Sequence, residues 1–171
     1  MVNLNQYLWL PDKKALSQEK TWIKLQIQAF GQAQIKQLVK AAVVVRQRAY
    51  APISHYYVGA ALLSKSGKIY ASCNAETDSL TETEHAERSA IAKAISEGEV
   101  QTSGPLFLKA IAISHKANSG PCGGCRQTLA QHCHNALIID SNLKGKIQAI
   151  TSLKALLPYS FGLNNKTDIS T

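Results

Sequence analysis

At 171 residues the chain is long enough for one domain that buries most of its apolar surface, and no apolar run approaches the roughly 18 residues of a membrane span. The 19 Lys and Arg outweigh the 11 Asp and Glu to give +8, but residues such as Lys13, Lys20, Lys36 and Lys144 are scattered and not interleaved with aromatics. That pattern reads as solvated faces and argues against a nucleic-acid groove. Four cysteines and a start without a charged segment leading into an apolar one point away from a disulfide framework and a secretory leader, hence to a reducing cytoplasm.

Residues 1–16 read as a turn-rich lead, with Leu8-Trp9-Leu10 closed by Pro11-Asp12. Ser17 caps a predicted helix over 17–30, with Trp22, Leu25 or Gln26 and Ala29 on its inner side, and Gly31 breaks it. Ile35, Leu38, Val39, Ala42 and Val43 then fall at i, i+3, i+4, i+7 and i+8, an amphipathic helix running to about Arg48 and stopped by Ala51-Pro52. Residues 56–64 and 68–74 form a β-hairpin around Ser66-Gly67. A polar loop over 75–84 leads into an alanine-rich helix from His85 to Glu97, with Ala86, Ala90, Ile91, Ala94 and Ile95 facing inward and Gly98 as its stop.

Residues 106–114 read as a buried strand, and the helix that starts at Pro121-Cys122 carries on through His132 and Cys133. Two more strands follow over 136–140 and 146–150, and Ser152 opens a short helix up to Leu157-Pro158. Cys73 and Cys133 read as buried thiols, and the tail from Asn164 as loose. This order implies an α/β fold, a three-layer α/β/α arrangement with a mixed five-stranded sheet. The connection over 141–145 is too short for a parallel crossover, so the last two strands are antiparallel. The expected organisation is an N-terminal helical segment over 1–49 packing on a catalytic domain over 50–163, with a tail over 164–171.

The chemistry lies in His85-Ala86-Glu87 and Pro121-Cys122-Gly123-Gly124-Cys125. Zn²⁺ favours tetrahedral nitrogen and sulfur donors and keeps one position open when it is catalytic; His85, Cys122 and Cys125 supply three. Two thiolates and a neutral imidazole balance the charge of one zinc ion per chain. Cys122 and Cys125 share one face at the start of a helix, where the free N–H groups favour thiolate. Glu87 diverges from His85 and is placed for general acid–base work beside a water in the open position. A four-ligand structural site is the other reading, with His132 or His134 completing it, but it leaves Pro121 and Glu87 without a purpose.

The pairing of His-x-Glu with Pro-Cys-x-x-Cys is similar to the signature of zinc nucleobase deaminases, and residues 48–161 resemble the cytidine deaminase family in several further motifs. Tyr56-Tyr57-Val58-Gly59-Ala60-Ala61 resembles its aromatic-x-Val-Gly-Ala strand, Asn74-Ala75-Glu76 its Asn-x-Glu, and Leu156 to Gly162 its closing Leu-Leu-Pro-x-x-Phe-Gly. The resemblance implies a cytidine deaminase-like fold and zinc-dependent hydrolysis of cytidine and deoxycytidine in pyrimidine salvage, with Glu87 as proton carrier. It also implies that Asn74 and Glu76 bond the ribose hydroxyls, that Tyr56 packs on the pyrimidine and that the Ala86 amide meets the base carbonyl. A homotetramer is implied, favoured over a dimer, with Phe161 reaching a neighbour's site.

Some residues depart from the family. His85 stands where many members of this length carry cysteine; with Ala51-Pro52-Ile53-Ser54 it resembles a longer branch bearing a second, inactive copy, and this chain ends before such a copy begins. Tyr56 replaces the usual phenylalanine. Other readings of the same motifs are deamination of a modified nucleoside or a nucleic-acid base, and a silent zinc-stabilised scaffold.

Overall fold

The computed structural model describes residues 13–117, 119–158 and 160–162, with side chains from Ser17 onward. Of the lead expected over 1–16, residues 13–16 are already helical, so Ser17 lies inside the first helix and does not cap it; residues 1–12 and the tail from Asn164 lie outside the described residues. Helical backbone α1 spans Lys13–Arg46 and is interrupted at Gly31, whose φ of 74° and ψ of 156° lie where glycine alone sits at little cost. The expected pair of helices is therefore present, with the break at the expected residue. The second half buries Ile35, Leu38, Val39 and Ala42, as the 3.6-residue period demands. The first half follows the expectation in part: Trp22 packs on the core and Gln26 is half-buried, but Ile23 is the buried residue, Ile27 and Phe30 pack partly beside it, and Leu25 and Ala29 are exposed. Apolar residues at 22, 23, 25, 27, 29 and 30 surround this helix, so periodicity alone allows more than one face.

Five strands follow: β1 Gly59–Ser64, β2 Ile69–Cys73, β3 Leu108–Ser114, β4 Leu137–Ser141 and β5 Ile147–Ser152. They form one sheet in the order β2-β1-β3-β4-β5. Only β3 and β4 pair in parallel; β4 and β5 are antiparallel neighbours. Asn142 closes the connection between them by accepting from the Lys144 and Lys146 amides at 2.9 and 3.0 Å. Alternation along the strands sends Ala61, Leu63, Ala112, Leu137 and Ile139 towards α1, and Ala60, Leu62, Ile113 and Ile138 to the opposite face. There they meet helices α2 Ala86–Ser96, α4 Gly123–Ala130 and α5 Leu153–Leu156. The result is the mixed three-layer α/β/α architecture. Among the described residues, no helix is long and apolar enough to cross a membrane.

Local differences have local causes. Ile95 is 41 % exposed, because nine residues after the fully buried Ala86 it lies on the opposite side of α2. α4 ends at Ala130: Gln131 and His132 close back on Thr128 and Leu129, and the His132 carbonyl accepts from the Leu108 amide at 2.9 Å. His132 and Cys133 are therefore off the helix that was expected to carry them. At the other end, the Glu19 carboxylate of α1 accepts from both the Ser152 amide and its hydroxyl, at 2.8 and 2.9 Å.

A short helix absent from the sequence reading, α3 Glu99–Ser103, buries its acidic first residue. Burial alone would raise the Glu99 pKa, but the Ser103, Tyr70 and Ser66 hydroxyls donate to the carboxylate and hold it down at about 2. Burial and the Glu99 bond push the Tyr70 phenol up to about 12. A depressed carboxyl stabilises the fold above its unfolded pKa and stops doing so as pH falls through the folded one. The stability advantage of the native chain over Glu99→Gln should therefore shrink as pH drops from 4.5 towards about 2. Urea midpoints of both chains, compared at each pH, test this; a difference that stays constant over that interval would refute it.

Candidate metal centre and its pocket

The ligand residues stand at the entrances of two helices that pack on each other. His85 is the N-cap of α2, Cys122 is the N-cap of α4, and Cys125 lies in the first turn of α4. The segments that lead to both helix starts leave β2 and β3 at the same end of the sheet, where Cys73 and Ser114 flank Gly59. His85 Nδ1 lies 3.3 Å from Cys125 Sγ and 3.6 Å from Cys122 Sγ. A tetrahedral zinc with bonds of about 2.3 Å to sulfur and about 2.0–2.1 Å to nitrogen sets such donors about 3.5 Å apart, so the set fits zinc.

No fourth ligand joins them among the described residues, where His85, Cys122 and Cys125 form the one group able to hold a metal. His132 is occupied elsewhere: its Nδ1 meets the Pro105 carbonyl at 3.1 Å and its ring rests on Phe107. The geometry thus favours a site with an open position over a closed structural one. Burial, followed by the neighbouring Glu87 carboxylate and Cys122, pushes the Cys125 thiol well up. Negative charge gathers here in a dry place, and a divalent cation supplies the missing compensation.

Above the metal set opens a cavity of about 380 Å³. His85, Ala86, Glu87 and Cys122 line one side, and Ser54, Tyr56, Asn74 and Glu76 another, so seven of the eight predicted site residues border it, with Cys125 buried beneath. Ala86 opens α2, where backbone N–H groups lack helical partners. Glu87, next along, is 5 % exposed. Asn74 and Glu76 also build the wall they line. Asn74 Oδ1 accepts from the Val58 amide and its Nδ2 donates to the Tyr56 carbonyl, both at 2.8 Å. Glu76 accepts from the Ile53 and Ser54 amides at 2.9 and 3.2 Å and, very closely, from the Ser54 hydroxyl. That hydroxyl is the main influence lowering the Glu76 pKa. These bonds hold the segment that takes His55 through a left-handed φ of 54°.

Two residues at the pocket escaped the sequence reading. His115 lines it and Asp140 stands behind, at the ends of the buried runs of β3 and β4. Their signal was a charged or titratable group closing an otherwise apolar strand.

Residues 32–140 match the model of the cytidine and deoxycytidylate deaminase zinc-binding region. The chain belongs to this family. As a member of the cytidine and deoxycytidylate deaminases it is 38 % identical over 139 residues to the cytidine deaminase of Sporosarcina psychrophila, spanning 80 % of this chain and 95 % of that one. It is 39 % identical over 132 residues to the cytidine deaminase of Halalkalibacterium halodurans, spanning 77 % and 96 %. Its fold superposes on the crystal structure of cytidine deaminase from Burkholderia pseudomallei with a TM-score of 0.66 and 34 % identity, covering 73 % of this chain and 97 % of that one. The family's zinc-binding region and the donor set agree on the metal, which is zinc.

Proposed function

We propose that this deaminase hydrolyses cytidine and deoxycytidine to uridine and deoxyuridine, releasing ammonia, in cytoplasmic pyrimidine salvage. The observation that carries the reading is the buried carboxylate of Glu87 beside a three-donor zinc set, at the inner end of a nucleoside-sized cavity. Zinc held by His85, Cys122 and Cys125 supplies a water with its pKa lowered to about 7. Glu87 takes a proton from the attacking water and gives it to the ring nitrogen next to C4. It takes the second proton as the C4 oxygen becomes a carbonyl and passes it to the amino group, which leaves as ammonia. Two hydrogens of water thus end on nitrogen, and its oxygen ends on the base.

The remaining site residues orient the substrate. The Ala86 N–H at the helix start donates to the base carbonyl, and the ring of Tyr56 packs against the pyrimidine. After their wall bonds, Asn74 keeps one amide hydrogen and one lone pair, and Glu76 keeps acceptor capacity, which suits a sugar diol. The segment over 1–49 serves as a packing element on the catalytic domain over 50–163, with 164–171 a tail. A homotetramer is favoured over a dimer. Phe161 is 87 % exposed while Gln127 of α4 and Gln131 just beyond it grip its backbone carbonyl, which supports a ring that reaches a neighbour's site. Light scattering giving a monomer would overturn the assembly.

The function is tested by the loss of cytidine absorbance on adding purified protein, with zinc measured on the same sample. Turnover with one zinc per chain is the expected result. Full zinc without turnover of cytidine or deoxycytidine would overturn the substrate and point to a modified nucleoside or a nucleic-acid base.

A further inference from the structure

The proposed reaction uses the ring of Tyr56 and leaves its hydroxyl without a task, along with two buried ionisable groups behind it. The Tyr56 hydroxyl lies 2.9 Å from His115 Nδ1, and His115 Nε2 lies 2.6 Å from Asp140 Oδ1. His115 and Asp140 are 2 % and 3 % exposed. The parallel pairing of β3 and β4 builds this file: Ile113 sits opposite Asp140, and the His115 amide donates to the Ser141 carbonyl at 3.3 Å. Among the described residues, neither Asp140 oxygen receives a well-aligned hydrogen bond. His115 Nε2 approaches the carboxylate closely but off the ideal N–H direction.

A buried carboxylate without a donor is costly, so the ring proton belongs on Nε2, facing Asp140. In the neutral ring Nδ1 is then an acceptor, and the single hydroxyl proton of Tyr56 is donated to it. What Tyr56 turns to the pocket is an aromatic face and an oxygen bearing only lone pairs.

We propose that Asp140 and His115 are positioning residues for the reaction proposed above, on which this inference rests: they fix the direction of the Tyr56 hydroxyl so that its oxygen accepts a hydrogen bond from a hydroxyl of the nucleoside. The pocket rim, with Glu76 and Tyr56 both accepting, thereby selects a ligand that brings donors on its sugar. Asp140 itself stays outside the pocket lining and touches the substrate only through this file.

The near-isosteric Asp140→Asn is the probe. Its amide donates to Nε2, moves the ring proton to Nδ1 and turns the Tyr56 proton towards the pocket. KM for cytidine is expected to rise by about two- to tenfold, the worth of one hydrogen bond, with kcat changed by less than about twofold. In a Tyr56→Phe background the same substitution should add nothing further to KM. The ¹⁵N shifts of the His115 imidazole, free of any catalytic readout, should show Nε2–H in the native chain and a reversed tautomer in Asp140→Asn. An equal effect of Asp140→Asn in both backgrounds, an unchanged KM, or an unaltered tautomer overturns the proposal. Should Asp140→Asn fail to fold, Tyr56→Phe alone decides, since it leaves the buried pair intact; an unchanged KM then overturns the proposal. A native chain that shows the tautomer but does not turn over cytidine would sink the proposed function and leave the file itself standing.

Discussion

Glu87→Gln is expected to slow cytidine deamination by about 10²–10⁴-fold, the range seen when a positioned proton carrier is lost. Glutamine keeps the volume and hydrogen-bonding reach of the side chain but has no titratable proton. The position is buried in the first turn of α2, two residues past His85, and its carboxylate lies close enough to Cys125 to push that thiol up. Zinc content should stay at the native value, because Glu87 is outside the donor set. KM should move far less than kcat, since the residue acts on protons in flight and not on the sugar or the ring face. Steady-state kinetics with zinc analysis on the same preparation make the comparison; a variant that keeps more than about a tenth of native kcat would remove Glu87 from the proton path.

The largest stability effect is expected at Gly59. A Cβ there would stand 2.1 Å from the Ala42 carbonyl oxygen and 2.7 Å from the backbone nitrogen and Cβ of Arg46. These are atoms of α1 that do not step aside by changing a rotamer. Neither partner is at liberty to shift. Gly59 pairs with Cys73 on one side and Ser114 on the other, while Arg46 Nε donates to the Tyr57 carbonyl at 3.0 Å and ties the helix to this spot. Overpacking commonly costs about 1–3 kcal/mol, and contact with rigid backbone places Gly59→Ala at or above the top of that range. For a chain of this size that is a fall in Tm on the order of 6–12 °C. Thermal unfolding of both proteins, saturated with zinc, would show it; an unchanged Tm would mean that α1 and β1 separate more easily than their contacts indicate. The Gly in the aromatic-x-Val-Gly-Ala strand is thus explained by the close passage of a helix.

The layers, the break at Gly31 and the antiparallel closing pair were legible because each follows from local rules: a period, a glycine, a loop too short to cross over. The metal set was legible because zinc chemistry restricts donor type and spacing. What stayed hidden depends on residues that meet only after folding. Glu99 looks like an ordinary acidic residue beside a helix stop, and only the tertiary arrangement of Ser66, Tyr70 and Ser103 makes it a hub. His115 and Asp140 are far apart in sequence and are joined by strand register alone. Ile95 and Ala29 were misplaced, and the choice between Leu25 and Gln26 stayed open, for a simpler reason, since a helix with apolar residues on several sides does not announce which one the sheet will cover.

The two helix starts that hold the metal set belong to different parts of the chain. His85 follows the β1–β2 hairpin, and Cys122 comes 37 residues later, beyond β3. An ion bound at both therefore works as a staple as well as a reagent, restricting the unfolded chain as a cross-link across a long loop does. Metal supply then governs how long the folded molecule lasts, and a cell short of zinc would lose this protein to unfolding and proteolysis as well as to inactivity.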